Sequence, residues 1–178
     1  MQITTPRLIL REVSENDFEA LCVMDQDPEA GQYDHPPLSV EASRSRINTF
    51  LAWQQESPRT RFSFALVIPP GEGLMGLIGF RQIHPAIREY EMGWAVRREE
   101  WGKGYASEAA RAVLRWGFEH LLAHRVVAFC NAENRASERV MQKLGMQREG
   151  LTRETLLIDR VWHDELIYAI LDREFSLL

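Results

Sequence analysis

The sequence predicts a mixed α/β fold, a mostly antiparallel sheet with helices on both faces. Three observations predict it. Extended runs at 62–68, 74–83 and 89–96 follow one another with only turns between them, as antiparallel strands do. A long segment of helical period then leads to a short apolar run at Val126–Cys130, the pattern of a crossover to a neighbouring strand. Two further extended runs, Gln147–Ile158 and Val161–Leu171, meet at Asp159-Arg160 as an antiparallel hairpin would.

Taken in order, Arg7-Leu-Ile-Leu-Arg11, an apolar run between two arginines, reads as a first strand. Ser14-Glu-Asn-Asp17 has the form of a capping box, so a helix is expected over about Asp17–Met24. Residues 25–39 contain Pro28, Gly31, Pro36 and Pro37 and read as an irregular loop. Ser39 caps a longer helix reaching about Gln55, with Ile47, Phe50, Leu51 and Gln54 along one side. Pro69–Gly73 is a turn between strands Phe62–Ile68 and Leu74–Ile83. In the strand Glu89–Val96, Tyr90, Met92, Trp94 and Val96 share one face, and Glu91, Gly93 and Ala95 the other. Ala106, Ala110, Val113, Leu114, Gly117 and Leu121 give the helix from about Tyr105 to Leu121 one apolar face. A last helix, Ser137–Leu144, stops at Gly145.

Length and composition limit the functions. At 178 residues the chain reads as one domain, 1–178, large enough to bury a core without staples. Its 45% apolar and 26% charged content is ordinary for a soluble protein. Apolar runs such as Phe64–Ile68 fall far short of the ~20 residues of a membrane span. The start, MQITTPRLIL, lacks the basic and apolar regions of a signal peptide, so a cytoplasmic location is expected. A net charge of -5 argues against a nucleic-acid partner. Cys22 and Cys130 read as small buried hydrophobes. His120 and His124 are four apart, but no third ligand is signalled, so no metal is expected.

The strongest chemical signal is Val96-Arg-Arg-Glu-Glu-Trp-Gly-Lys-Gly-Tyr-Ala-Ser-Glu108, where a strand ends, two glycines follow and a helix begins. Gly102 and Gly104 permit close backbone approach, and the first helix amides carry the positive end of the dipole. Together they form a phosphate or pyrophosphate seat. A Walker loop is excluded because Gly104, not Ser or Thr, follows Lys103. A Rossmann fingerprint fits only in part: Ser107 stands at its third glycine, and the next strand ends in Cys130-Asn131 without an acidic residue.

Arg97–Glu108 resembles the coenzyme A pyrophosphate loop of the GNAT superfamily of N-acetyltransferases. Asn134-Arg-Ala-Ser137 through Lys143-Leu-Gly145-Met146 is similar to that family's second signature. Thr5-Pro-Arg-Leu-Ile-Leu-Arg11 and Asp164 with Tyr168 are similar to the branch of the Rim-type ribosomal-protein N-terminal acetyltransferases. The resemblance spans nearly the whole chain. It implies a GNAT-type sheet, acetyl-CoA as co-substrate, and direct acetyl transfer to a primary amine. The branch points to a protein N-terminal α-amine as acceptor and to a homodimer. A small-molecule amine is the alternative within the same chemistry. A non-catalytic acyl-CoA-binding module and a nucleotide-binding module are the alternatives outside it.

The resemblance also assigns residues. Gly102, Lys103, Gly104, Tyr105, Ala106 and Ser107, with Arg97, are expected at the diphosphate. The strand ending at Val96 is expected to splay from the one starting near Val126, with the pantetheine arm between them. Amides near Ala95 and Val96 would then face the arm and the thioester carbonyl, each such donor being worth about 3–4 kcal/mol. Asn134 is the side-chain candidate for the pantetheine. Glu99 stands where the loop usually has Gln or Arg, which leaves the backbone amides as the seat. Met141 occupies the place of a tyrosine acid and cannot donate a proton, so Ser137 is the candidate partner of the departing sulfur, besides capping its helix. Glu91 is the candidate base, and Tyr168 either orients the acceptor or assists the thiolate. Glu108 is read as a support of the helix start, and Trp101 as a cover of the coenzyme or an anchor of the turn.

Overall fold

In the computed structural model, which describes residues 1–175, eight strands form one sheet in the order β1-β2-β3-β4-β5-β6-β8-β7. They are β1 (Gln2–Thr4), β2 (Ile9–Glu12), β3 (Arg61–Val67), β4 (Leu74–His84), β5 (Glu89–Val96), β6 (Arg125–Asn131), β7 (Gln147–Ile158) and β8 (Val161–Leu171). The helices are α1 (Phe18–Gln26), α2 (Pro28–Gly31), α3 (Val40–Trp53), α4 (Tyr105–His120), α5 (Arg135–Lys143) and α6 (Asp172–Phe175). All neighbouring strands run antiparallel except β5 and β6. A parallel pair cannot be closed by a hairpin, so α4 carries the chain back across the sheet to start β6.

Strand alternation divides the apolar residues between two layers. Phe62, Phe64 and Leu66 of β3, Tyr90 and Met92 of β5, and Val126, Ala128 and Cys130 of β6 pack with Ala109, Ala110, Val113 and Leu114 of α4 and Met141 of α5. On the opposite face Ala65, Leu74 and Leu77 meet Leu21 and Met24 of α1 and Ile47 of α3. Gly117 lets α4 lie close, because a Cβ there would stand 2.5 Å from the Phe80 ring. The helices α1 and α3 cover only the β2–β4 side of their face. Beyond them Gly93, Ala95 and Phe129 are exposed on it.

The mixed sheet and the helices on both faces are as the sequence predicts, and β5, β7 and β8 have the expected bounds. The departures have local causes. The short strand β1, unforeseen, exists because Thr5 N–H donates to Leu8 O at 2.9 Å, closing a turn that pairs Gln2–Thr4 with Ile9–Arg11. The predicted first strand accordingly begins at Ile9 rather than Arg7. Asp17 is drawn to Arg11 at 2.7 Å and buried, so the capping box heads a short 3-10 turn and α1 starts one residue later. The loop expected over 25–39 contains α2, capped by the Asp27 carboxylate. Helix α5 begins two residues before Ser137 because Asn134 caps it: Asn134 Oδ1 accepts from Ser137 N at 3.0 Å. Ser137 therefore lies inside the first turn and is not the cap. The final helix α6 was not expected. Among the described residues no helix is long and apolar enough to cross a membrane, and no group of three or more metal-ligating side chains gathers.

Candidate active site

The loop between β5 and α4 is held from three sides. Gly102 and Gly104 take φ of 75° and 83°, the left-handed region that costs a residue with a Cβ. The first bond of α4 is Glu108 N–H to Gly104 O, 3.1 Å, so the amides of Tyr105, Ala106 and Ser107 have no place in the helix ladder. They point out of the helix start beside Gly102 and Gly104, as an anion requires. Lys103 Nζ pairs with Glu100 Oε2 at 2.8 Å at the rim, which raises its pKa through that hydrogen bond and keeps it cationic.

The N-terminal Thr5-Pro-Arg segment serves this loop. Glu108 Oε1 accepts from the Thr5 hydroxyl at 2.7 Å and from the Arg7 amide at 3.0 Å, while Arg7 Nε donates to Glu108 Oε2 at 2.6 Å. Arg7 Nη1 reaches Lys103 O at 2.9 Å, and its guanidinium lies over the Tyr105 ring, 4.6 Å from the centroid. Two segments a hundred residues apart thereby fix the loop. Burial pushes the Glu108 carboxyl up, but the bonds from Thr5 and Arg7 outweigh it and hold the pKa below the usual range. A depressed carboxylate pKa contributes stability above the unfolded value of about 4.3 and loses it as pH falls through the folded value. Glu108→Gln is therefore expected to weaken coenzyme A binding severalfold at pH 7. Its melting temperature should be lower than the wild type's at pH 7, with the gap closing below about pH 4. Calorimetry and thermal melts at both pH values check this.

The parallel ladder of β5 and β6 is short. It joins Glu89, Tyr90 and Glu91 to Arg125, Val126 and Val127, and no further pair forms towards Val96 and Asn131. The two strands therefore diverge, as expected, while each stays paired on its outer side, to β4 and to β8. The amide of Arg97 bonds Met75 O of β4 at 2.9 Å. Alternation then aims the amide of Ala95 at β4 as well, and those of Trp94 and Val96 into the opening. Of the two amides expected to face the arm, Val96's lies on the open side and Ala95's does not; the amide of Trp94, which the sequence does not single out, shares the open side with Val96. The Trp101 indole donates to Val96 O at 2.7 Å, which makes it an anchor of the turn; it is also exposed. Arg97 Nε is buried there without a hydrogen-bond partner among the described residues.

Helix α5 lines the β6 side. The Cys130 thiol at the end of β6 has its pKa pushed up to about 12 by burial and by the charges of Glu138, Asp34 and Glu165, which outweigh a smaller lowering effect of the Ser137 hydroxyl. Cys130 is thus a protonated, buried thiol, as its apolar setting in the sequence implied. Tyr168 is buried in the core; its hydroxyl donates to Glu138 Oε1 at 2.9 Å and accepts from Gln142 Nε2 at 3.4 Å. Burial raises its pKa. That hydroxyl is directed at α5. Glu91 lies where the ladder ends, and its Oε2 accepts from Arg81 at 2.7 Å.

The face away from α4 and α5 is open at the divergence. Gly79 and Gly93 are cross-strand partners, and a Cβ on either would meet nothing within 4 Å. This bare floor is bordered by Ala95, Glu91 and Phe129. Asn131 ends β6 opposite Glu165 of β8, and the two share this face.

The geometry is that of known proteins. The sequence profile of the Acetyltransferase (GNAT) domain matches residues 7–147. An N-acetyltransferase of Bacillus subtilis, YnaD, is 34% identical over 99% of this chain and 100% of its own. The [ribosomal protein uS5]-alanine N-acetyltransferase of Escherichia coli is 24% identical over 96% of this chain and 90% of its own. A crystal structure of a GNAT-family acetyltransferase from Bacillus anthracis superposes with a TM-score of 0.86 at 33% identity, covering 98% of this chain and 100% of that one. The free amides at the start of α4 suit a diphosphate, and the unpaired edges of β5 and β6 suit an extended amide-bearing arm, so the residues fit acetyl-CoA. The chain belongs to the GNAT acetyltransferases and is an acetyl-CoA-dependent N-acetyltransferase.

Proposed function

We propose that the protein acetylates the N-terminal α-amine of a polypeptide by direct transfer. The observation that carries this reading is the bare floor of Gly79 and Gly93, which leaves room for a backbone beside the divergence of β5 and β6. The Escherichia coli relative named for an alanine of ribosomal protein uS5 supports the same acceptor class. An α-amine titrates near about 8, so a modest fraction is already neutral at pH 7, whereas a lysine near about 10.4 needs more help.

When bound, acetyl-CoA supplies the acetyl group as an activated thioester. The amides from Gly102 to Ser107 hold its diphosphate, with Lys103 at the rim and Arg97 beneath the strand end. Asn134, whose Oδ1 caps α5, keeps its Nδ2 for the pantetheine. The Val96 and Trp94 amides polarise the acyl carbonyl. Ser137 donates its proton towards the sulfur, since Met141 is fully buried and has none to give. Direct attack is supported by the protonated state of Cys130, which makes an acyl-cysteine route poor.

A thiol-release assay with acetyl-CoA tests the reading. Free-amino tetrapeptides are expected to be turned over with higher kcat/KM than their lysine-only counterparts, polyamines or free amino acids. Turnover confined to small amines would overturn the polypeptide acceptor.

A further inference from the structure

Near the mouth of the divergence one polar group has no use within the fold. Asn131 is 1% exposed, and its Nδ2 is buried without a hydrogen-bond partner among the described residues. The orientation of the amide is set by its other end, since Oδ1 accepts from Glu133 N at 2.9 Å. A buried N–H donor left without an acceptor is rare, and a group brought by a ligand is one way to complete it. Directly across the ladder stands Glu165, on the same face and half-buried. No cation pairs with the Glu165 carboxylate among the described residues, in contrast to Glu91, which Arg81 holds. A donor and a carboxylate therefore stand side by side at the end of the open floor.

We infer that Asn131 and Glu165 form the recognition pair for an α-amino carbonyl group, Glu165 taking the ammonium and its proton and Asn131 donating to the first carbonyl. This rests on the α-amine reading above and supplies its chemistry: in a peptide N-terminus the nitrogen and the first carbonyl are two bonds apart through one carbon, and a polyamine has no such carbonyl. Glu165 in place of Glu91 becomes the base. The ammonium passes one proton to a Glu165 oxygen and becomes a neutral amine. Its nitrogen lone pair forms the N–C bond with the acyl carbon as the C–S bond breaks; Ser137 gives its proton to the thiolate, making the free thiol, and takes the second proton of the amine in exchange.

The surroundings of Glu165 agree with that role. Burial raises its pKa first, then the charges of Glu91 on β5 and Asp34 in the segment after α2, while a hydrogen bond from Thr155 of β7 opposes them. Two residues along β8, His163 faces Glu133 at 3.7 Å. The raised carboxylate is a stronger base than a solvated one, and among the described residues it stands beside a donor without a cation of its own.

The test uses Glu165→Gln and Asn131→Asp, the latter chosen because a carboxylate keeps the acceptor for Glu133 N–H and removes the donor. Each is assayed with a tetrapeptide bearing a free N-terminal alanine and with aminoacetonitrile, an amine already neutral at pH 7, and its coenzyme A affinity is measured by calorimetry. E165Q is expected to lower kcat/KM for the peptide about 100-fold at pH 7. That loss is expected to shrink as pH rises towards 9, while aminoacetonitrile and coenzyme A affinity change little. N131D is expected to lose at least about tenfold on the peptide and little on aminoacetonitrile. Equal losses on both amines, or a peptide pH profile in E165Q matching the wild type, would overturn the pair. If the wild type turns over polyamines and not peptides, the α-amine reading and the role of Asn131 fail together. Glu165 is then judged as base by the same pH criterion on the polyamine.

Discussion

Gly104→Val is expected to weaken coenzyme A binding about 30-fold while leaving the rest of the fold intact. At φ 83° a β-branched residue is a true outlier, and strain of that kind amounts to about 1–3 kcal/mol. The loop can escape it only by rotating the peptide planes that aim the amides of Tyr105–Ser107 outward, and restoring them in the complex then lowers affinity. Steric contact is not the cause, since the nearest atom to the added Cβ is Arg7 Nη2 at 3.6 Å, ordinary contact. The remaining elements keep their contacts, so the melting temperature without ligand should shift much less than the affinity. Isothermal calorimetry with coenzyme A, beside thermal melts, separates the two. Unchanged affinity would mean that the diphosphate sits elsewhere.

Gly93→Val is expected to have the converse effect. A Cβ at Gly93 would touch nothing within 4 Å, and a β-branched residue suits a strand, so stability should hold or rise. The isopropyl group would nonetheless stand on the floor between Glu91 and Ala95, where the acceptor has to lie beside the divergence. Displacing a reacting group by about 1 Å can lower turnover about 100-fold. Peptide kcat/KM should fall by that order, with coenzyme A affinity unchanged because the Trp94 and Val96 amides leave from the strand edge and not from this face. Gly79→Val, one strand further from β6, should be milder. A Gly93→Val protein that acetylated peptides at the wild-type rate would remove the open face from the acceptor path.

Much of this could be read from local chemistry. Gly102 and Gly104 announce themselves in sequence because their conformation is a property of single residues, and the amides of the following turn are free in any helix. The alternation of Glu89–Val96 likewise settles which residues share a face, and the hairpin at Asp159-Arg160 has local turn chemistry. By contrast, the part of Thr5 and Arg7 as a clamp on Glu108 could not be read, because it joins residues about a hundred apart in the chain. The aim of the amides of Ala95 and Val96 depended on register with β4, a tertiary property. Tyr168 and Glu91 were named for their chemistry, but their partners, Glu138 and Arg81, come from other elements.

Asn131 and Glu165 make the same point for the acceptor. Each is unremarked as a letter, and a hydrogen-bond donor without an acceptor is visible only when every neighbour is in place. The sheet-and-helix class, the two-glycine turn that heads α4 and, through the two family signatures, acetyl-CoA as the donor were all legible in the chain alone. Those rest on periodicity and on backbone conformations that individual residues dictate. Where the strands part, which amides enter the opening and which carboxylate beside it lacks a cation among the described residues came from the packed fold, because each depends on the register of segments that meet through packing rather than along the chain.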